Sequence, residues 1–259
     1  MLAPLAGAKG VRGGATVKII DVKQLSMGWF QAHCGAVSAS YMKNVLDFTQ
    51  KGAPGASRKT YLRTKVAELL TGVVLQDNFV SQEMLDGIER EADARAAYEV
   101  ENGVMVEMIG FGLHDSIDRF GCSPDGLVAE DGMVQIKCPK AGTHVQWILD
   151  GVVPEEHIPQ MNAELAVTGR TWSDFVSFHP HVPKALRLMT IRHEPKPEEL
   201  RATEAAAVAF LKEIDKIVDR LREIVGPFDL PAAVSKEERK PDPDDQLGYL
   251  TADDFSYLD

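Results

Sequence analysis

The sequence predicts an α/β fold, a central mixed β-sheet flanked by helices. Three observations predict it. Short β-rich segments gather in the middle of the chain around a turn at Glu130 to Gly132. Segments with helical spacing stand before and after them. A long amphipathic helix from Glu198 to Val225 then carries Leu200, Val208, Leu211, Ile214, Val218, Leu221 and Val225 on one side. At 259 residues, with 44% hydrophobic and 26% charged side chains, the chain can enclose one sizeable core.

Taken in order, residues 1–15 are Gly-rich and too weakly apolar for a secretory segment, so they read as a flexible leader. Residues 16–230 read as a single domain. A Ser cap near Ser38 opens a helix through "SASYMKNVLDF", with Tyr41, Val45 and Phe48 at helical spacing. "GAPGAS" (52–57) is a loop by its Gly and Pro content, and "YLRTKVAELLTG" a helix that stops at Gly72. A longer helix runs from Ser81, its cap, to about Glu99 and ends near Gly103. "VMVEMIGFGL" (104–113) alternates as strand does, and residues 121–142 supply two further strands. "HIPQMNAELAVTG" (157–169) reads as helix, and "WSDFVSFHP" (172–180) and "LRLMTIRHE" (186–194) as strands. Residues 231–259 turn charged and Pro-bearing and read as a loosely held acidic tail.

The formal net charge of −11 speaks against a protein that simply coats DNA, but base is concentrated at "SRKTYLRTK", Ser57 to Lys65. Cys34, Cys122 and Cys138 have no CxxC spacing, which argues against zinc and a disulfide framework and for a reducing compartment. No apolar run approaches the roughly 18–20 residues of a membrane span, so the expectation is a cytoplasmic protein.

The chemistry gathers in "GCSPDGLVAEDGMVQIKCPKAG" (121–142). Side chains two apart in a strand share a face, so Gln135 and Lys137 point together and a hairpin brings Asp125 near them. A carboxylate, an amide oxygen and an ammonium then share one patch. Hard cations such as Mg²⁺ take oxygen ligands and often use only one or two carboxylates. A neighbouring lysine can orient water and offset charge on a phosphoryl transition state. Each residue also has a plainer reading: Asp125 as a Pro-Asp-Gly turn residue, Lys137 as a solvated strand lysine.

The spacing D-x9-[E]-x-K is that of PD-(D/E)xK nucleases, and the segment resembles the lambda-type phage exonucleases, also called viral alkaline exonucleases. The likeness continues in order through "WFQAHCGAVSAS" (29–40), "AELLTG" (67–72), "GIEREADARAAYE" (87–99) and "HIPQMNAELAVTG". It implies that Asp125, Glu91, residue 135 and the Ile136 carbonyl hold Mg²⁺, with Mn²⁺ as a substitute. It implies Lys137 as catalytic lysine and Gln160 beside the attacking water. Ser38, Ser40 and Ser123 are implied as hydroxyls holding a 5′-phosphate, with His33 where the family usually has Arg. Arg58, Lys59 and Arg63 are then candidates to take over that phosphate. The plainer alternatives are an exposed i,i+4 pair of Glu91 with Arg95, a surface amide at Gln160, and capping or turn bonds for the serines.

The resemblance further implies a 5′-to-3′ exonuclease on double-stranded DNA ends, preferring 5′-phosphate. A homotrimeric ring and a single-strand annealing partner in recombination are implied with it. Gln135 stands where the motif has Glu, which removes a negative charge from the ion's ligands, so activity is expected to be reduced or lost. The sequence leaves open whether that Gln is native or engineered. Two rivals remain: a PD-(D/E)xK endonuclease, and a non-catalytic DNA-end-binding module.

Overall fold

The computed structural model describes residues 8–9, 18–20, 27–75 and 82–233, and structural statements concern those residues. The expected Ser81 cap, most of the expected leader and the tail from 234 onward lie outside them. Within the leader range, β1 (Ala8–Lys9) pairs antiparallel with β2 (Lys18–Ile20). There follow α1 (Met27–His33), β3 (Val37–Ser38), α2 (Met42–Val45), α3 (Ala56–Thr71) and α4 (Gln82–Asn102). The middle of the chain supplies β4 (Val106–Glu107), β5 (Phe111–Leu113), β6 (Phe120–Cys122), β7 (Gly126–Val128) and β8 (Gly132–Lys137). It closes with α5 (Ala141–Asp150), α6 (Ile158–Thr168), β9 (Trp172–Phe178), β10 (Leu188–His193) and α7 (Pro197–Val225).

The α/β class is as expected, but the strands divide into two five-stranded mixed sheets, ordered β1-β2-β5-β6-β3 and β10-β9-β8-β7-β4. The division falls at Ser123, Pro124 and Asp125, between β6 and β7. Pro124 has no N–H to donate, so a ladder cannot run through it. β8 and β9 pair in parallel from Gly132↔Trp172 to Lys137↔Ser177, and their crossover contains α5 and α6. Gly132 is required there: a Cβ would collide with the Trp172 ring.

β8 is buried on both faces through Ile136, which is why its sequence does not alternate. Ala94 and Tyr98 of α4 pack on Val134, Ile136 and Val176 from one side. Leu165 of α6 packs on Met133 and Leu127 from the other. The largest core joins α2, α3, α6 and α7 through Tyr61, Ala163, Val167, Phe210, Ile214 and Val218. Phe210 and Ile214 are fully buried, each worth up to about 1.5–3 kcal/mol. α3 stops at Gly72, whose left-handed φ of 70° and N–H to Glu68 O form the cap.

Two elements differ from expectation. The helix expected from Ser38 to Phe48 is a 3₁₀ turn (Ala39–Tyr41) followed by one turn of α2. Asp47 ends it by accepting the Ser57 N–H at 3.1 Å and hydroxyl at 2.6 Å, so its carboxylate serves the start of α3 instead. The second is α5, which was not read from the sequence. Its inner face carries His144 with Trp147 and Ile148, while Val145 and Leu149 are exposed, so its apolar residues are spread around the helix.

Candidate active site

The β7–β8 hairpin pairs Gly126 with Val134, which sets Asp125 beside Gln135 and Ile136. Asp125 Oδ2 accepts the Gln135 side-chain amide at 2.5 Å and the Ile136 backbone amide at 2.7 Å. Asp125 is therefore held against β8, not spent on its own turn. Gln135 is fully buried, and its Oε1 has no hydrogen-bond partner among the described residues. Lys137, at the strand's end, is half-buried.

Glu91 reaches this patch from α4. Arg95 donates to it at 2.6 Å, so the i,i+4 pair is real. It also lies within electrostatic reach of Asp125 and Lys137. Desolvation, and after it the Asp125 charge, raises the Glu91 carboxyl above its ordinary value, while Arg95 and Lys137 oppose the rise. Desolvation likewise raises Asp125, against Lys137, the Ile136 amide, Gln135 and Arg95. Both carboxyls thus face excess electrostatic demand that a cation would meet.

α6 brings in Gln160, whose amide donates to Glu164 Oε1 at 2.8 Å. A cavity of about 200 Å³ opens there, lined by Trp29, His33, Ser38, Ser40, Ser123, Gln160 and Glu164. Four of the residues named for phosphate, His33, Ser38, Ser40 and Ser123, are therefore brought together. Ser38 and Ser40 share a hydroxyl hydrogen bond of 3.0 Å, and Ser123 Oγ has no partner among the described residues.

Three named residues are not in this group. Arg58 is 3% exposed, bonded to Glu213 at 2.6 Å and to the Val45 carbonyl at 3.2 Å. It lies over the Phe48 and Phe210 rings and ties α3 to α7, so its guanidinium is committed to the core. Lys59 and Arg63 are exposed on α3 and do not line the cavity. Two lining residues were missed as site residues, Glu164 and Trp29. Glu164 is 1% exposed, and burial, then Asp125, pushes its carboxyl up to about 8. Its signal in the sequence was an acid one helical turn after Gln160, inside an otherwise apolar stretch.

A hard divalent cation suits the donors present. Among the described residues no three His, Cys, Asp or Glu side chains cluster to hold a metal. The set is instead two carboxylates, Glu91 and Asp125, with the orphaned buried oxygen of Gln135. Oxygen-only donors with one or two carboxylates fit Mg²⁺ or Mn²⁺.

These sheets, the helices covering both faces of β8 and the Asp125–Lys137 hairpin define a PD-(D/E)xK nuclease fold. The chain belongs to the family described as the YqaJ-like viral recombinase domain, matched over residues 28–171. It is similar to LHK-Exo, an alkaline exonuclease from Laribacter hongkongensis, known from two crystal structures, one of them in complex with dAMP. Identity is 35% and the TM-score 0.69, over 76% of this chain and 96% of that chain. A phage-related exonuclease from Haemophilus somnus 129PT shares the fold at 15% identity, with a TM-score of 0.55 over 72% of this chain and 96% of that one. Comparison with curated proteins gave no match. The resemblance to lambda-type exonucleases is thereby shown.

Proposed function

We propose that the protein is a divalent-metal-dependent exonuclease that degrades one strand of double-stranded DNA from its 5′ end, in phage-type recombination. The observation that carries this reading is one juxtaposition. Asp125 bonds to Gln135 and Ile136, with Lys137 acting on its charge and that charge acting on Glu91, beside a cavity walled by serine hydroxyls and Gln160. Homology to an alkaline exonuclease supports a nuclease, and the complex of that relative with dAMP supports a nucleotide as ligand.

In this reading Asp125, Glu91, the Gln135 amide oxygen and the Ile136 carbonyl would hold the ion. Mg²⁺, or Mn²⁺ in its place, would polarise the scissile phosphate when bound. Lys137 orients the attacking water and offsets negative charge as it develops on the phosphoryl oxygens. Gln160, its amide nitrogen already given to Glu164, keeps its oxygen to fix that water. The cavity seats the 5′-terminal group of the strand. Gln135 gives the ion an oxygen but no charge, so the activity of this sequence is low. The family's homotrimeric ring and annealing-protein partner belong to the same proposal. No described helix is long and apolar enough to cross a membrane.

The test is nucleotide release from linear and closed circular duplex with Mg²⁺, for the protein and for Gln135→Glu. Release from linear DNA alone, enhanced in the variant, is expected. Cutting of circles would support an endonuclease, and no release by either protein a non-catalytic end-binding module.

A further inference from the structure

In a chain of formal net charge −11, residues 132–149 and 175–193 contain no Asp or Glu. The fold brings parts of both stretches to one edge. β8 and β9 run parallel with Lys137 opposite Ser177, so both strands end where Lys137 stands. Past β9 the chain turns through residues 179–187 into β10. The buried His144 of α5 fastens this turn: its Nδ1 lies 2.7 Å from Ser177 Oγ, and its Nε2 donates to the Leu186 carbonyl at 2.7 Å. The turn also closes on itself. The His179 N–H donates to the Arg187 carbonyl at 3.0 Å, and Arg187 Nε to the Val182 carbonyl at 3.2 Å. A 3₁₀ turn at Lys184–Leu186 completes it. The result is an ordered loop that holds His181, Lys184 and Arg187 exposed.

The charges felt at the root of the loop are basic. Burial lowers the His179 pKa first, and Arg90 of α4, His144 and His181 push it the same way. Lys140 stands exposed at the N-cap of α5, one turn before His144. The loop's place relative to the candidate site follows from the sheet order β10-β9-β8-β7. Ser123, which lines the cavity, lies just before β7, whereas the loop joins β9 to β10. Cavity and loop therefore flank Lys137 of β8 on opposite sides. A strand whose terminus sits in the cavity, and whose scissile phosphate sits at Lys137, continues toward the loop. Lys and Arg held on an ordered loop meet phosphate oxygens at a smaller entropic cost than on a loose one.

We infer that the β9–β10 loop, through Lys184 and Arg187, is a docking surface for the sugar-phosphate backbone of the duplex ahead of the cut. This rests on the proposed function, with the strand's end at the cavity, and adds where the uncut DNA lies. Contacts to phosphates position a duplex without reading its bases, which suits a surface that successive stretches of any sequence must pass.

The test is equilibrium binding by fluorescence anisotropy over a range of salt, in EDTA so that cleavage plays no part, with the full chain. The probes are a 3′-labelled linear duplex with a 5′-phosphate, the same duplex with neutral methylphosphonate linkages ahead of that end, and a closed circular duplex as competitor. Lys184→Glu combined with Arg187→Glu should weaken the all-phosphate duplex by roughly tenfold or more and reduce the slope of log affinity against log salt by about 2. The methylphosphonate duplex should bind the unaltered protein more weakly, and the double variant should lose little more on it. Lys212→Glu combined with Lys216→Glu makes the same charge change at exposed positions of α7. It should alter affinity by less than about threefold, because the effect sought is a contact and not net charge. Unchanged affinity and slope in the loop variant, or an equal loss in the α7 variant, would overturn the inference. So would methylphosphonate duplex bound as tightly as the all-phosphate one. In each of these cases ends that still outcompete circles leave the exonuclease reading standing. Circles that compete as well as ends do would remove the end site, and the proposed function and this inference would fall together.

Discussion

Gln135 donates its side-chain amide to Asp125 Oδ2 at 2.5 Å, while its own Oε1 faces no partner among the described residues. The amide therefore quiets a carboxylate that a glutamate at the same place would repel, and leaves one oxygen ready for an ion.

Gln135→Glu should accordingly act in opposite directions with and without metal. Without it, a second buried carboxylate beside Asp125 loses the donated bond, and the melting temperature should fall by an amount equivalent to ~1–3 kcal/mol. With millimolar Mg²⁺ the variant should gain more stability than the starting protein and release nucleotides faster. Differential scanning fluorimetry with and without Mg²⁺ checks the first part; equal metal-induced shifts in the two proteins would contradict it.

Asp125→Asn should abolish Mg²⁺ binding in isothermal titration calorimetry. Lys137→Ala should preserve binding yet lower nuclease turnover by roughly 10²–10⁴-fold, the range for a group acting on proton transfer or developing charge. Retained turnover in Lys137→Ala would remove that lysine from the mechanism.

Glu164 sets a pH dependence whose sign can be worked out. Its carboxyl is raised from 4.5 to about 8 in the folded protein, so the folded state holds a proton that the unfolded chain releases. The stability it contributes is full below about pH 4.5 and is lost as pH rises to about 8, at no more than roughly 1.4 kcal/mol per pH unit. Glu164→Gln keeps an oxygen for the Gln160 amide and should flatten the melting-temperature profile across that window. Parallel profiles for the two proteins would show that Glu164 ionises normally.

Arg58→Ala should behave as a core mutation. Removing the guanidinium between Phe48 and Phe210 and its bond to Glu213 should destabilise by ~2–3 kcal/mol, or about 4–12 °C in a domain of this size. Below the transition, affinity for DNA ends should be unchanged. A weakening of phosphorylated ends alone would return Arg58 to phosphate binding.

The hairpin's placement was legible because a strand's two-residue period and a short turn fix where Asp125, Gln135 and Lys137 meet. α7 was legible from its uninterrupted apolar side. Arg58 misled because a basic cluster in sequence says nothing of which members a helix turns inward. Glu164 was overlooked because its interest comes from complete burial, a property of α6 lying under α7 and over β8. The break between the sheets was hidden for the same reason: Pro124 marks it, yet Pro-Asp-Gly reads equally well as an ordinary turn.

That break has a consequence of its own. Ser123 lines the cavity, Asp125 is bonded to Gln135 and Ile136, and one buried proline joins them. Two residues of extended backbone span roughly 7 Å, and the locked φ of Pro124 keeps the spacer stiff. In the proposed reading this is a ruler cast into the main chain. A terminus seated at one end presents the same linkage at the other on every cycle, and the length of each bite is set by covalent geometry.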